Sequence, residues 1–216
     1  MEPSFSEQYP LLCDAIMTHI NKSPGEYVFT THMNHIILLK KCENTVTNEN
    51  FIPNITRTKA TIYRGNTFFV VCIINKWDLS NCDNRCERIV SSGETLKFIA
   101  GQIIYSSTFN PNNLKTMYSG GIYFCKCLEV AFYNDVIPHR YTGKWKCYHN
   151  NGMPRVIEYL VDGLKNGYHK YSHDNGQLSA EGYYDSDIKI NAWKYYDECG
   201  ALIDYHNVCS FDSITL

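Results

Sequence analysis

Gly143-Lys-Trp-Lys-Cys-Tyr-His-Asn-Asn-Gly152 aligns with Gly167-Tyr-His-Lys-Tyr-Ser-His-Asp-Asn-Gly176, and both align with Asn191-Ala-Trp-Lys-Tyr-Tyr-Asp-Glu-Cys-Gly200. The closing glycines Gly152, Gly176 and Gly200 are 24 residues apart. A fixed period of this size marks a repeat architecture, in which each unit buries its apolar face only against its neighbours. Within each frame the residues alternate. Trp145 and Cys147, His169 and Tyr171, and Trp193 and Tyr195 fall on one strand face, and Lys146, Lys170 and Lys194 fall on the other. That alternation assigns the aromatic set to the core and the lysines to solvent. A second strand follows in Val156–Val161 and Ser179–Tyr184, and Asn151-Gly152 and Asn175-Gly176 read as tight-turn dipeptides in which both residues tolerate positive φ. Each unit is thus expected to be a hairpin, with the hairpins stacked into a twisted antiparallel sheet.

Upstream of the repeats the texture is α+β. Leu12, Ile16 and Ile20 recur at helical spacing, with Pro10 in the first turn and Ser23-Pro24-Gly25 as the stop. Short β-branched and aromatic runs follow from Tyr27, His35, Ala60, Leu96, Gln102 and Gly120. Thr67–Asn75 reads as a strand buried on both faces. Residues 78–86 read as a polar loop, and Leu128–Asn134 as a helix of about two turns. The fold class expected is mostly β (α+β). An N-terminal α+β domain occupies 1–140, and a stacked β-hairpin repeat sheet occupies 141–216, with units starting near 143, 167 and 191 and a C-terminal tail that caps it.

The repeat frame, with Gln177-Leu178 and Tyr-x-x-Gly behind it, resembles the variant MORN repeat over about 143–205. The third unit departs from that pattern, with Asn191 for the leading glycine and Glu198-Cys199 ahead of Gly200. Ile62–Gly65, Phe68–Lys76, Gly101–Tyr105 and Ser119–Phe124 with Ala131–Tyr133 resemble an uncharacterised domain found ahead of such repeats in mimivirus-like giant-virus proteins. The resemblance implies a large-virus protein of unknown activity, placed in the cytoplasm of an infected cell or with the virion. It supplies no catalytic residues.

Composition narrows the function classes. The chain has 216 residues, a net charge of -2 and 17 tyrosines, so it reads as globular. No apolar run approaches the roughly 20 residues that span a bilayer, and the acidic N-terminus lacks the plan of a signal peptide. The ten cysteines are therefore expected as reduced thiols. Residues 143–216 carry seven Lys/Arg and ten Asp/Glu, a net of -3, which argues against nucleic acid and against peripheral lipid contact. Equivalent lysines two strands apart would be about 10 Å from one another.

The residues offer four candidate chemistries. Cys82, Cys86, Cys125 and Cys127 contain four thiols in two pairs, but neither pair has the C-x2-C spacing usual for zinc, and a shared core is the preferred reading. His32 and His35, three apart in a β segment, are expected on opposite faces. Tyr63-Arg64-Gly65 with Tyr105-Ser-Ser-Thr-Phe109 resembles the NAD-holding strands of ADP-ribosyltransferases. That alternative needs Arg64, Ser107 and a glutamate, Glu129 or Glu158, in one cleft, and the chain lacks the paired glutamate motif of those enzymes. The preferred function is non-enzymatic and without cofactor: a protein-interaction face built from Tyr148, Tyr168, Tyr184 and Tyr196 with Lys146, Lys170 and Lys194, and a homodimer formed through the C-terminal repeats.

Overall fold

The computed structural model describes residues 4–51, 62–79, 83–90, 93–115, 119–134 and 137–208. It is mostly β with few helices and divides into two compact units, Met1–Asp135 and Val136–Leu216.

The first unit opens with α1 (Phe5–Gln8), capped by Ser4 and Glu7 in a reciprocal capping box, and α2 (Pro10–Lys22), which buries Leu12 and Ile16. Strands β1 (Tyr27–His32) and β2 (His35–Lys41) form a hairpin. After β3 (Tyr63–Gly65), β4 (Thr67–Asn75) pairs with β2. Strands β5 (Arg85–Ile89) and β6 (Thr95–Ile99) pair with each other, β7 (Ile103–Tyr105) closes a four-stranded sheet in the order β1-β2-β4-β7, and β8 (Ile122–Phe124) pairs with β3. Helix α3 (Leu128–Tyr133) follows and buries its last four residues. Ile36 and Leu38 alternate with Ile37 and Leu39 along β2, and all four are fully buried, so both faces of the sheet are covered. One core gathers Val28, Ile37, Leu39, Phe68, Val70, Leu96, Phe98 and Phe124. The loop expected over 78–86 gives way to β5 at Arg85, where Cys86 turns into this core between exposed neighbours.

The second unit is a single antiparallel sheet. Its strands are β9 (Gly143–Tyr148), β10 (Pro154–Val161), β11 (Leu164–Lys165), β12 (Gly167–Ser172), β13 (Leu178–Asp185), β14 (Ile188–Tyr196) and β15 (Leu202–Val208). β9 pairs with β10, β10 with β11 and β12, and each later strand with its successor.

The hairpin turns differ from the expected two-residue form. Only the glycines are left-handed, at φ 84°, 85° and 84° for Gly152, Gly176 and Gly200. Their N–H groups donate to the carbonyls of His149, His173 and Asp197 at 2.8, 3.0 and 3.0 Å. The loop is a type I turn followed by a left-handed residue, the three-residue hairpin. Asn151 and Asn175 do not supply a second positive φ. Each accepts from the N–H two residues ahead, Met153 or Gln177, at 2.9 Å. The two-residue turns sit at the opposite ends of the strands, at Asp162-Gly163 (φ 51° and 84°) and Ser186-Asp187 (φ 49° and 69°).

Asn191 also finds its reason here. Gly143, Gly167 and Asn191 occupy equivalent positions; Gly167 at 74° and Asn191 at 57° are both left-handed, while Gly143 is at 142°. Asparagine is among the few non-glycine residues that tolerate that region, so the departure from the repeat pattern keeps the backbone. Asn191→Gly should therefore leave stability close to wild type, whereas Asn191→Val should cost about 1–2 kcal/mol. Urea unfolding followed by tryptophan fluorescence checks this, and equal stability of the two variants would refute it.

Candidate functional site

Two sheet faces of opposite character emerge from the register of the second unit. The inner face is an aromatic spine at the 24-residue period: Trp145, His169 and Trp193 are exposed by 0%, 0% and 1%. The Trp193 indole N–H donates to the Tyr183 carbonyl at 3.1 Å, and His169 Nε2 lies 3.2 Å from the equivalent carbonyl of Tyr159. The histidine thus stands in for a tryptophan, keeping the donor with a smaller ring. Burial, first, together with Lys165 holds its pKa below the ordinary value, and Glu158 Oε2 lies 3.7 Å from its Nδ1. Tyr184 belongs to this spine, with its ring 4.7 Å from His169 and 5.0 Å from Trp193. It does not share a face with the other candidate tyrosines.

The outer face carries the lysines. Cross-strand pairs run Lys146–Ile157, Ile157–Lys170, Lys170–Glu181, Glu181–Lys194 and Lys194–Tyr205. The three lysines are therefore two strands apart, as the hairpin reading requires, with a carboxylate between the second and third. Glu181 is a hub. The Tyr168 hydroxyl donates to it, the Tyr196 hydroxyl donates at 2.9 Å, and Lys194 Nζ lies 3.8 Å away. The Tyr168 hydrogen bond, first, and that of Tyr196 hold the Glu181 carboxyl below the usual carboxylate range. The ammonium of Lys170 lies 5.4 Å over the Tyr168 ring.

Exposure reorders the candidate residues. Tyr148 and Tyr196 are half-buried, whereas Tyr159, Tyr168, Tyr183 and Tyr205 are 45%, 40%, 46% and 50% exposed. Three of these four were not among the sequence candidates. Tyr159 and Tyr183 lie on the second strand of their hairpins, one period apart, and that repetition was the signal available for them.

In the first unit the side chains of the alternative enzyme reading have structural roles. Arg64 is fully buried. Its guanidinium donates to the carbonyls of Gly120 (3.0 Å) and Asn113 and lies on the Phe109 ring at 5.2 Å. The hydroxyls of Ser106, Ser107 and Thr108 donate to Glu94 at 2.5, 2.8 and 2.8 Å, and the Ser107 N–H donates at 2.6 Å. Glu129 is on α3, and Glu158 belongs to the second unit, 5% exposed. The geometry gives the transferase reading no support.

The thiols and imidazoles are placed as follows. Cys82 lies outside the described residues. Cys86 is a core residue. Cys125 is buried and donates through its thiol to the Cys127 carbonyl at 3.3 Å, and burial pushes its pKa up to about 12. Among the described residues no three His, Cys, Asp or Glu side chains are grouped to hold a metal. His32 and His35 flank the β1–β2 turn as direct cross-strand partners. They share a face instead of opposing, and His35 Nε2 pairs with Asp83 at 2.5 Å. Among the described residues no helix is long and apolar enough to cross a membrane.

No family model matches the chain, and no curated protein and no solved structure matches it.

Glu94 yields a pH test. Partial burial works against its charge, but hydrogen bonds from Ser106, Ser107 and Thr108 outweigh burial and hold its pKa at about 2, below the ordinary 4.5. A depressed carboxylate stabilises the folded state fully above the unfolded pKa and loses that contribution as pH falls through the folded one. Glu94→Gln should therefore be less stable than wild type at pH 6, with the gap narrowing between pH 4.5 and 2. Paired urea midpoints at pH 6 and 2.5 measure it, and a gap independent of pH would refute the assignment.

Proposed function

We propose that the second unit is a non-enzymatic interaction module, a MORN-like array of a large-virus protein, and that its outer face binds an acidic segment of a protein partner. The carrying observation is the segregation of charge. The unit is net acidic, yet its outer face presents Lys144, Lys146, Lys170 and Lys194 against Glu181 and, at a hairpin end, Asp185. Among the described residues the other carboxylates lie in turns, on the inner face or on the edge strand: Asp162, Asp174, Asp187, Asp197 and Glu198 in turns, Glu158 inside, Asp204 on β15. Exposed Tyr159, Tyr168 and Tyr183 add large, stiff contact area between the cations. A protein segment with alternating acidic residues would meet lysines two strands apart and tyrosines beside them.

The test is affinity capture with the tagged full chain from source cells, in parallel with Lys170→Glu/Lys194→Glu and Tyr159→Ala/Tyr183→Ala. A partner recovered at least tenfold less with both variants, with their circular dichroism unchanged, supports the face. A partner held equally by wild type and variants removes it, and capture abolished by nuclease treatment would replace the protein partner with nucleic acid.

We also propose a homodimer through the C-terminal repeats, in which the β15 edges of two copies pair. Leu202, Ile203 and Tyr205 are exposed on that strand, which among the described residues pairs only with β14, the tail expected to cap it lying outside them, and an unpaired edge is a template for strand pairing. Light scattering at micromolar concentration should give twice the mass of the chain, and Ile203→Lys should return it to a monomer. A monomeric wild type would overturn the proposal.

A further inference from the structure

Where α2 ends, the first unit has an open cavity of about 370 Å³. Its rim carries His19 and Lys22 from the last turns of the helix and Lys40 from β2, and its floor is Tyr27, Phe69 and Val71. The register explains the floor, because Tyr27, Lys40 and Phe69 are consecutive cross-strand partners on β1, β2 and β4 and so form one row. The volume is in the range of small-molecule sites, and an apolar floor with a few convergent polar groups is their usual make-up.

The cations of this region are not alike. Lys41 is neutralised, with Nζ 2.7 Å from Glu26 and 2.5 Å from Glu49, and Lys126 shares both carboxylates. Lys22 and Lys40 have no carboxylate within ion-pair distance among the described residues. Lys22 has an ordinary role at a helix C-terminus, where a cation offsets the dipole. Lys40 has no such role. It is a strand lysine whose ammonium donates to Ser23 Oγ at 2.6 Å and lies 5.8 Å over the Tyr27 ring. Its stem lies against Gly25, where any Cβ would overlap it. The Ser23-Pro24-Gly25 stop therefore does more than end the helix, since it holds one ammonium at the mouth of an apolar hollow with no counter-charge among the described residues. Fixing a lysine in this way costs side-chain entropy, and a positioned, uncompensated cation is an anion site in waiting.

We propose that this cavity binds a small organic anion, with a phosphate-monoester headgroup between Lys40 and Lys22 and His19 beside it, and an aromatic or aliphatic body over Tyr27, Phe69 and Val71. The site lies wholly in the first unit and does not depend on the function proposed for the second. The same headgroup chemistry occurs in soluble phosphate esters and in phosphatidic acid, and the experiment separates them.

The full chain, 15N-labelled, is titrated with phenyl phosphate, with inorganic phosphate and with benzyl alcohol, and is sedimented with vesicles of phosphatidic acid in phosphatidylcholine. Saturable shifts confined to residues around 19–27, 40–42 and 69–71 are expected with phenyl phosphate. Affinity should be at least tenfold weaker for inorganic phosphate, which lacks the body, and benzyl alcohol, which lacks the charge, should give none. Lys40→Met and Lys22→Gln should each weaken phenyl phosphate at least fivefold, Lys40→Arg should restore part of it, and Lys165→Met in the second unit should have no effect. Lys22 is exposed, so its variant keeps the test valid if Lys40→Met unfolds. Co-sedimentation lost in the same variants would identify the lipid headgroup as the source, and its absence alongside phenyl phosphate binding would identify a soluble ester. No saturable shift and no co-sedimentation, or binding within twofold of wild type in the Lys22 variant, overturns the site.

Discussion

The second unit depends on hydrogen bonds that run forward from each turn to the next. His149 Nε2 lies 2.8 Å from the Ser172 carbonyl, and Asn151 Nδ2 donates to that of Asp174 at 2.5 Å. One repeat later, His173 reaches the Tyr196 carbonyl at 2.9 Å and Asn175 donates to Glu198 at 2.8 Å. Each of these spans 23 residues. Strand pairing alone leaves a sheet free to slip by two residues without exchanging its faces. The turn ladder removes that freedom, because a slipped register would leave two donors per turn without their carbonyls. The tryptophan spine and the lysine row are aligned across strands because the turns are aligned first.

Much of this was legible as a period. The three glycines, the alternation around them and the two-faced character of each strand follow from spacing, and the Thr67–Asn75 strand from composition. Three things were hidden for physical reasons. The sign of φ at Asn151 is not readable from an Asn-Gly pair, which serves a two-residue turn and a three-residue one equally well. The face of Tyr184 is not readable because it lies on the second strand of its hairpin, whose phase relative to the first depends on the bulge at Tyr171/Ser172. Counting along one strand puts His32 and His35 on opposite faces, but a turn intervenes, and cross-strand partners share a face.

The first unit shows why residue type in a pattern is weak evidence of chemistry. An arginine on one strand and a Ser-Ser-Thr run on another have the composition of a cofactor clamp. Here the arginine is buried and its donors satisfy the backbone carbonyls of Asn113 and Gly120, while the hydroxyls converge on Glu94. Both clusters tie down irregular backbone at Ser106, Ser107, Thr108, Asn113 and Gly120, where polar groups would otherwise be left unpaired. Lys40 is the contrary case. It drew no notice in the sequence because no motif contains it, yet its position depends on a serine and a glycine that read only as a helix stop.

The forward ladder also has an end. In the third turn Asp197 stands where the first two have histidine, and Cys199 where they have asparagine. Asp197 Oδ1 accepts from the Cys199 and Ala201 N–H groups at 2.9 and 2.8 Å, so its side chain closes its own turn instead of donating to a successor. A further unit stacked on β15, whether from a longer chain or from the β9 edge of a second copy, would lack both donors that align every other turn. Head-to-tail stacking of that kind is heterologous and leads to open filaments. Pairing of two β15 edges about a two-fold axis has no such requirement, because the turns then run away from each other and neither has to supply the next. On the homodimer proposed above, the two substitutions that make the third repeat look degenerate in sequence would favour a closed assembly over an open one.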